Sequence, residues 1–349
     1  MAIQNAFTLT ANEIYDTLAN MIISQEVFAD NLGEHQTLVD KARVDGTLFG
    51  DTKLYYATDV LKSSAWGNDA EAANLLALDR PADPEVQAIK LDVFRQIRCT
   101  IDNYLTKRAF ADEGAFASFN GVMLGWMKET KKVYDGTNYN VFIGTTETTT
   151  GEQDVSIDID ADGNSIGENI ARGMADLFTA MSDYTRDYND YGYLRSYAPA
   201  ELKVVWNSKY VNAVKKIDLP SIFHNEELAK VFEGDVLPAR YFGTINSSSA
   251  TADGTNAYRA LTEMVIGTHH YFAGDIIKSG DSVAANTTYA ESADVICKVL
   301  VKLPPYMSAF EVGTTFFNPR SLTENHYLTF GHNTLAYLKN YPFITVKAI

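Results

Sequence analysis

Three aspartates at alternate positions are the residues of this chain whose spacing most resembles a metal site. Asp158, Asp160 and Asp162 are followed by Gly163, which is how the calcium-binding loop of an EF-hand begins. The rest of the loop departs from that pattern. Loop position 12, which needs a bidentate glutamate, is Asn169. The segment before Asp158 alternates like a strand, whereas an EF-hand needs an incoming helix.

The acidic segment is therefore predicted to be a turn between a strand and a helix. The dipeptide Asp162–Gly163 supplies the bend, and Asn164 or Ser165 caps the helix. Glu168 then lies near the positive end of the helix dipole. The three aspartates remain weak metal candidates, because they could face solvent, a neighbouring subunit or an ion held between subunits.

The histidines and nucleophiles do not form a recognisable catalytic or zinc-binding set. His269 and His270 are neighbours in a predicted strand, so their side chains point to opposite faces. His326 and His332 lack zinc spacing. The sequence has no Walker A loop and no Gly-x-Gly-x-x-Gly after a strand. Its Gly-x-Ser-x-Gly match, Gly163 to Gly167, lies in the acidic turn, where Ser165 is a candidate helix cap. We therefore predict no catalytic residue and no cofactor, and a chain that is not an enzyme.

The composition is that of a folded, acidic protein. Of the 349 residues, 46% are hydrophobic and 21% are charged, and the formal net charge is -16. Such acidity argues against sequence-specific nucleic-acid binding, although it suits a protein that lies beside DNA without adhering to it. Cys99 and Cys297 are predicted to be reduced and buried. With no visible signal peptide and no run of about 20 apolar residues, we expect a soluble, cytoplasmically made protein with no membrane partner.

A long antiparallel ribbon gives the strongest periodic pattern. The return strand alternates apolar and polar residues from Ile89 to Ile101, and the outgoing strand is predicted over 52–61. A tip rich in small and polar residues joins them. Ordinary strands span about 3–10 residues. A ribbon of this length is therefore expected to project beyond its own core and to need a partner along its face and edges.

The remaining pattern predicts helices and strands in mixed order. An N-terminal helix over 10–32 begins with a capping box at Thr10 and Glu13. A helix over 112–133 is expected to end at Asp135–Gly136. The other predicted elements are a strand over 138–146, a strand over 154–160, a helix over 165–184, a strand and a short helix over 201–217, and strands around 238–245, 262–272, 292–303, 308–317 and 326–331.

The order of these elements and several phrases resemble the major capsid protein of tailed bacteriophages, which has the Hong Kong 97-type fold. The phrases are EVQAIKLDVFRQIRCTIDNYLTKRAF, LKVVWNSKYVNAVKKIDLPSIF and NPRSLTENHYLTFGHNTLAYLKNYPFITVKAI. The resemblance implies an α+β fold. The implied parts are an N-terminal arm with a helix over 1–40, an extended loop over 41–101, a peripheral domain with a spine helix over 102–140, a mainly axial domain over 141–290, and strands returning to the peripheral domain over 291–349.

The resemblance also implies a structural subunit that self-assembles, as pentamers and hexamers, into an icosahedral capsid enclosing a phage genome. It implies scaffolding, portal and decoration proteins as further partners, packaged DNA as a neighbour without sequence-specific contacts, and a place in the virion after assembly in the host cytoplasm. Some members join subunits by a Lys–Asn isopeptide bond, but Lys53 and Lys62 have no matched asparagine or catalytic acid. The expected interface residues are Ile14, Leu18, Lys53, Tyr55, Tyr56, Lys62, Trp66, Arg80, Tyr188, Tyr191 and Tyr193.

Two other functions stay open on the sequence. One is a β-rich ligand-binding or surface module that uses the Tyr-rich 184–197 loop and the acidic 154–168 turn. The other is an enzyme whose site is not recognised. The long ribbon favours the coat subunit, since a monomeric enzyme has little use for it, and the lack of a visible signal peptide weighs against a secreted module.

Overall fold

The described part of the chain is built from four α-helices, fourteen strands and two short 3₁₀ turns. The computed structural model describes residues 38–46, 52–63, 80–102, 113–146, 153–161, 165–215, 234–247, 264–266, 269–271, 287–291 and 294–349. The helices are α1 Leu38–Ala42, α2 Glu113–Thr145, α3 Ile166–Ser182 and α4 Ser208–Lys215. The strands are β1 Arg43–Asp45, β2 Thr52–Ala57, β3 Glu85–Asp102, β4 Asp154–Ile157, β5 Lys203–Asn207, β6 Asp235–Leu237, β7 Gly243–Ser247, β8 Met264–Ile266, β9 His269–Tyr271, β10 Thr287–Glu291, β11 Val295–Leu300, β12 Tyr306–Asn318, β13 Thr323–Asn333 and β14 Phe343–Ala348.

The first sheet carries the long ribbon and has the strand order β1-β12-β13-β3-β2. The predicted return strand is confirmed as β3, which has 18 residues. Its inward-facing residues include Ile89, Leu91 and Ile101, which are buried as the alternation indicated. Helix α2 packs across the inward face of this sheet, where Met127 and Tyr134 meet Leu328 and Phe330.

The predicted ribbon is a two-stranded hairpin over only part of its length. Strand β2 pairs with β3 from Glu85 to Lys90, and β13 pairs with the rest of β3 from Leu91 to Asp102. In the described ranges the return strand is therefore paired at one edge at a time, and along most of its length the strand that pairs with it is β13. Its partner comes from more than 200 positions later in the chain, and a local period of two cannot reveal such a partner.

The second sheet has the order β4-β14-β11-β5-β6, and helices α3 and α4 cover it. Its core is centred on Trp206, Phe178 and Ile344, which are fully buried. Strands β11 and β14 lie in this sheet, whereas β12 and β13 lie in the first. The last 59 positions, 291–349, thus contribute to both sheets rather than to one domain. Strand β14 was not predicted, because a strand buried on both faces shows no alternation.

Helix α2 runs to Thr145, so the predicted helix end at Asp135–Gly136 and the predicted strand over 138–146 are both wrong. The Asp135 side chain does not start a turn, since Lys131 and the Tyr306 hydroxyl hold it at 3.1 and 2.5 Å. Beyond it, Tyr139, Phe142 and Ile143 are buried at helical spacing. An Asp–Gly pair interrupts a helix only when its side chain is free to form a turn.

Several smaller predictions have clear outcomes. Helix α3 begins after Ser165 as expected, and β5, α4, β11, β12 and β13 lie where strands or a helix were predicted. The predicted single strand over 262–272 is instead β8 and β9, which pair antiparallel. The strand predicted over 238–245 is represented by β7, which pairs with β10. The N-terminal helix over 10–32 and the tip of the ribbon over 64–79 lie outside the described residues.

Two sequence-level expectations about cysteines and membranes can be checked directly. Both cysteines are free thiols as predicted, but only Cys297 is buried as expected, whereas Cys99 is half-buried. Burial raises the pKa of both thiols. None of the helices in the described ranges is both long enough and apolar enough to cross a bilayer.

Candidate assembly surface

The outer face of the β2–β3 ribbon is an exposed apolar strip. Leu54 and Tyr56 point outward from β2, and their partners across the ribbon are Ala88 and Val86. Tyr56 is 65% exposed, and Leu61, in the segment that follows β2, is 76% exposed. Exposed apolar side chains grouped on one short segment of the chain and its partner strand are typical of a face that another protein covers. We name the residues Leu54, Tyr56, Val60, Leu61 and Val86 the ribbon strip.

The inner face of the ribbon is attached to the body of the molecule. The Lys302 amine lies 5.4 Å from the Tyr55 ring centroid and 5.7 Å from that of Tyr341, so the cation joins the two rings. Burial, with Tyr341 as a second cause, raises the pKa of Tyr55. Lys53 is half-buried on the same face. Tyr55 and Tyr56 were both predicted to be interface residues, but only Tyr56 faces outward.

The segment leaving β2 is held by a group that we name the ribbon anchor: Thr58, Asp59, Arg186, Leu194 and Arg195. Arg186 Nη1 donates to Asp59 Oδ2 at 2.7 Å, and the Leu194 amide donates to Asp59 Oδ1 at 3.0 Å. Arg195 Nη2 donates to the Thr58 carbonyl oxygen at 2.5 Å. The hydrogen bond from Arg186 is the main cause that lowers the pKa of Asp59 to about 2, with the Leu194 amide next.

The tyrosine-rich loop supplies this anchor and is itself closed by internal hydrogen bonds. The Asn189 side chain accepts from the Tyr193 amide at 2.8 Å and donates to the Tyr193 carbonyl at 2.7 Å. Between them Gly192 has φ of +63°, a left-handed conformation that glycine adopts without strain. Tyr188 packs against the second core. Tyr193 lies beneath Arg195, whose guanidinium carbon is 5.6 Å from its ring centroid. These hydrogen bonds and ring contacts therefore hold the loop in one conformation.

Strand β3 is fixed to the segment that follows β13. Gln87 donates to the Tyr337 carbonyl at 2.9 Å and accepts from the Lys339 amide at 3.0 Å. Asp92 accepts from the amide and the hydroxyl of Thr334, both at 2.6 Å. These contacts and the ribbon anchor hold both strands of the ribbon at its base, so the direction of the ribbon is set by the body of its own chain.

The acidic turn is held by its own backbone. Asp158 Oδ1 accepts from the Asp160 amide at 3.0 Å, which forms an Asx turn. Asn169, at the position where an EF-hand needs a glutamate, donates its amide to the Ile159 and Ala161 carbonyls at 3.0 and 2.9 Å. A donor at this position is opposite to what a calcium loop requires. Asp162 lies outside the described residues.

Ser165 is the helix cap, which settles the predicted choice between Asn164 and Ser165. The Ser165 hydroxyl accepts from the Glu168 amide at 3.4 Å, and the Glu168 carboxylate accepts from the Ser165 amide at 3.0 Å. This reciprocal pair is a capping box. The hydrogen bond from the Ser165 amide is the main cause that lowers the pKa of Glu168.

The histidines have structural surroundings. His332 Nδ1 donates to the Asn333 carbonyl at 2.9 Å, so Nε2 accepts from the Tyr134 hydroxyl at 3.0 Å. Burial lowers the pKa of His332, which keeps the ring neutral. His326 is buried, and its Nε2 lies 3.8 Å from the Glu324 carboxylate. Within the described ranges, no three His, Cys, Asp or Glu side chains are grouped so that they could hold a metal ion.

The other predicted interface residues are scattered or lie outside the described chain. Lys62 and Arg80 are exposed near the two ends of the undescribed ribbon tip. Tyr191 and Tyr193 contact each other with ring centroids 5.5 Å apart. Sequence reasoning missed Asp59, Arg186 and Arg195. The only available indication was two arginines within a loop otherwise rich in tyrosine and aspartate. Ile14, Leu18 and Trp66 lie outside the described residues.

Comparison with known proteins gives a match at the level of structure only. No protein-family model matches the chain, and no curated protein matches it in sequence. The chain superposes on the capsid structure of Staphylococcus phage Andhra with a TM-score of 0.66 and 9% identity, covering 94% of this chain and 87% of that one. A chain from the structure of the head fiber and inner core protein gp22 of native bacteriophage P68 gives 0.61 and 11%, covering 87% and 83%.

The chain has the Hong Kong 97-type capsid fold. The predicted α+β class and fold type are thereby confirmed. At 9–11% identity the likeness establishes the fold alone, because one fold hosts many functions.

Proposed function

We propose that this chain is a structural subunit that self-assembles into the icosahedral capsid of a tailed phage and that it is not an enzyme. The observation that carries the proposal is the fold, which spans 94% of the chain in the match to a phage capsid structure. A capsid subunit acts through its surfaces, so its functional site is the set of contacts that it makes with other copies.

The ribbon strip fits the role of a subunit contact. Its five apolar side chains are exposed, although their ribbon is fixed rigidly at its base by the ribbon anchor. A rigid base presents the strip in one direction, so less conformational freedom is lost when a neighbouring copy covers it. Each subunit in a shell makes several such contacts, and modest individual affinities combine through multivalency.

The proposal extends to the parts of the subunit and to its partners. The first sheet with α2 corresponds to the peripheral domain, the second sheet with α3 and α4 to the axial domain, and β2 with the first part of β3 to the extended loop. The proposed partners are pentamers and hexamers of the same chain, with scaffolding, portal and decoration proteins. Packaged DNA lies inside without sequence-specific contacts, in a virion assembled in the host cytoplasm.

Expression of the full chain followed by size-exclusion chromatography and negative-stain microscopy tests this function. We expect shells, hexamers or pentamers. A stable monomer whose melting temperature rises with a small ligand would contradict the proposal. The alternative of a ligand-binding module is weakened by the closed tyrosine loop, since Asn189 and the ribbon anchor already occupy its polar groups.

A further inference from the structure

The outer edge of β12 is an open strand edge within the described part of the chain. Strand β1 pairs with β12 only from Tyr306 to Ser308, while β13 occupies the opposite edge along most of its length. In the described ranges, no strand pairs with the outer edge from Glu311 to Asn318. An open edge presents unpaired backbone donors and acceptors, and it serves as a template for another strand.

The composition of this edge lacks the usual protection. From Val312 to Asn318 the sequence is VGTTFFN, which contains neither a charge nor a proline. Phe316 is 60% exposed and Phe317 is 48% exposed, and they lie on opposite faces of the strand. Edge strands that stay single are blunted by Lys, Pro or bulges. Strand β12 has a register irregularity between Ala309 and Val312, but its pairing with β13 is regular from Val312 to Asn318. The exposed half of β12 therefore has the properties of a strand that pairs with another chain.

We propose that this edge pairs antiparallel with the same edge of a second copy of the chain, so that two first sheets join into one continuous sheet. The contact is isologous, and a two-fold axis passes close to Thr315 or Phe316. The proposal rests on the proposed function only in that a second copy is the expected neighbour. It concerns a different surface from the ribbon strip.

The charges at the two ends of the edge select the second copy as the occupant. Glu311 begins the open stretch and Arg320 follows its end. Within one chain they are separated by nine positions of strand and turn, on the order of 30 Å, so they cannot meet. In an antiparallel self-pair, the start of one strand lies beside the end of the other, and Glu311 of each copy comes near Arg320 of its neighbour. Two opposite-charge pairs thus flank an uncharged centre.

Single-cysteine scanning locates the two-fold axis. Cysteines are placed one at a time from Gly313 to Asn318 in a Cys99→Ser background, where the buried Cys297 is the remaining native thiol. Mild oxidation is expected to give a disulfide-linked dimer with a maximum at one position near the axis and a decline on either side. The control is Thr329→Cys, a half-buried position on β13, which is paired with β12 on one edge and with β3 on the other. Equal yields at all positions and at the control would overturn the proposal.

A charge exchange tests the occupant. E311R and R320E are each expected to raise the dimer Kd about tenfold, since two exposed opposite-charge pairs become like-charge pairs. The double variant E311R/R320E is expected to restore the affinity of the parent chain. Glu311 also lies 3.6 Å from Lys131, so the melting temperature of each variant is measured to separate folding from pairing. Loss of dimer without rescue in the double variant would overturn the self-pair.

The two proposals fail in different ways. Shells that form while the edge cysteines give no dimer maximum would leave the capsid function standing and reject the self-paired edge. A dimer maximum at the edge without any shells, pentamers or hexamers would reject the capsid function and retain the edge. A photoreactive maleimide attached to each edge cysteine would label the segment that covers the edge. Labelling of another segment, such as residues 1–37, instead of the same edge of a second copy would show a different occupant and would also reject the self-pair.

Discussion

At the scale of single residues, Asp59 joins the ribbon to the tyrosine-rich loop. Its two carboxylate oxygens accept from Arg186, from the Leu194 amide and from the Val60 amide. All three bonds favour the charged form, and the pKa of Asp59 falls to about 2. A carboxyl whose folded pKa is depressed stabilises the folded state above its ordinary pKa, near 4, and loses that contribution as the pH falls through its folded value. The ribbon anchor is therefore intact at neutral and mildly acidic pH and is lost as the pH approaches about 2.

The substitution Asp59→Ala is expected to loosen the base of the ribbon without unfolding the molecule. The amides of Val60 and Leu194 lose their acceptor, so their hydrogen exchange at neutral pH is expected to accelerate several-fold. The melting temperature should change little because Asp59 lies near the surface. Exchange measured residue by residue checks this, with Asp83→Ala as the control, since Asp83 is exposed next to the ribbon. Unchanged protection at Leu194 would show that the anchor does not hold the segment.

At the scale of elements, helix α2 depends on a close approach to the 3₁₀ turn at Ala239–Tyr241. A Cβ atom on Gly144 would overlap the carbonyl oxygen of Tyr241, whereas a Cβ on Gly125, in the same helix, would meet nothing. Gly144→Ala is expected to lower the free energy of unfolding by about 1–3 kcal/mol, as overpacking does. Gly125→Ala is expected to raise it by about 0.5–1 kcal/mol, because alanine favours helix. Chemical denaturation of the pair gives both values, and two changes of the same sign would contradict the close approach.

A buried carboxylate connects four elements. Asp135, only 1% exposed, lies 3.1 Å from Lys131 of its own helix and 3.4 Å from Arg43 of β1, and it accepts from the Tyr306 hydroxyl of β12. Tyr306 also stacks on His332 of β13, with centroids 5.4 Å apart. The Asp135 carboxylate thus links Arg43, near the start of the described residues, to Tyr306 in the first sheet.

The substitution Asp135→Asn is expected to destabilise the fold by about 3 kcal/mol. Among the residues that the structure describes, the buried Lys131 cation then keeps only the Glu311 carboxylate, at 3.6 Å, as a negatively charged partner. Arg43 is less affected because it reaches water. The double variant K131M/D135N is expected to be more stable than D135N, because no buried cation remains. Thermal and denaturant unfolding of the three proteins would measure this. If the double variant were no more stable than D135N, the loss of folding stability in D135N would come from the Tyr306 hydrogen bond instead.

The elements that could be predicted from the sequence are those whose pattern is local. The alternation from Ile89 to Ile101 and the box formed by Ser165 and Glu168 depend on neighbours within a few residues, and both are confirmed. The predictions that failed concern residues and strands whose structure depends on partners far away in the sequence. Asp135 stays helical because of Tyr306, and β14 is hidden because it is buried on both sides. The ribbon anchor joins residues 127 and 135 positions apart, so periodicity could not have predicted it.

At the scale of the whole molecule, the two sheets leave apolar surface at two separate places. One is the ribbon strip and the other is the open edge of β12. The chain carries a net charge of -16, so copies repel one another at long range, and repulsion of this kind favours monomers. Association then requires apolar contacts that outweigh the repulsion. Because salt screens charge over about 8 Å at physiological ionic strength, assembly is expected to strengthen as salt is raised.

The ribbon strip leads to a prediction that separates the capsid function from the ligand-binding alternative. Tyr56→Ser removes the most central exposed ring of the strip while leaving Tyr55 and its contact with Lys302 in place. We expect the melting temperature of the unassembled chain to be unchanged and shells or capsomers to be lost, because an aromatic side chain at the centre of an interface contributes about 2 kcal/mol or more. Tyr184→Ser is the matched control, since Tyr184 is exposed and lies at the start of the tyrosine-rich loop. If Tyr184→Ser abolished assembly and Tyr56→Ser did not, the contact surface would be the loop. If neither changed assembly while Tyr184→Ser removed binding of a small ligand, the alternative would replace the capsid function.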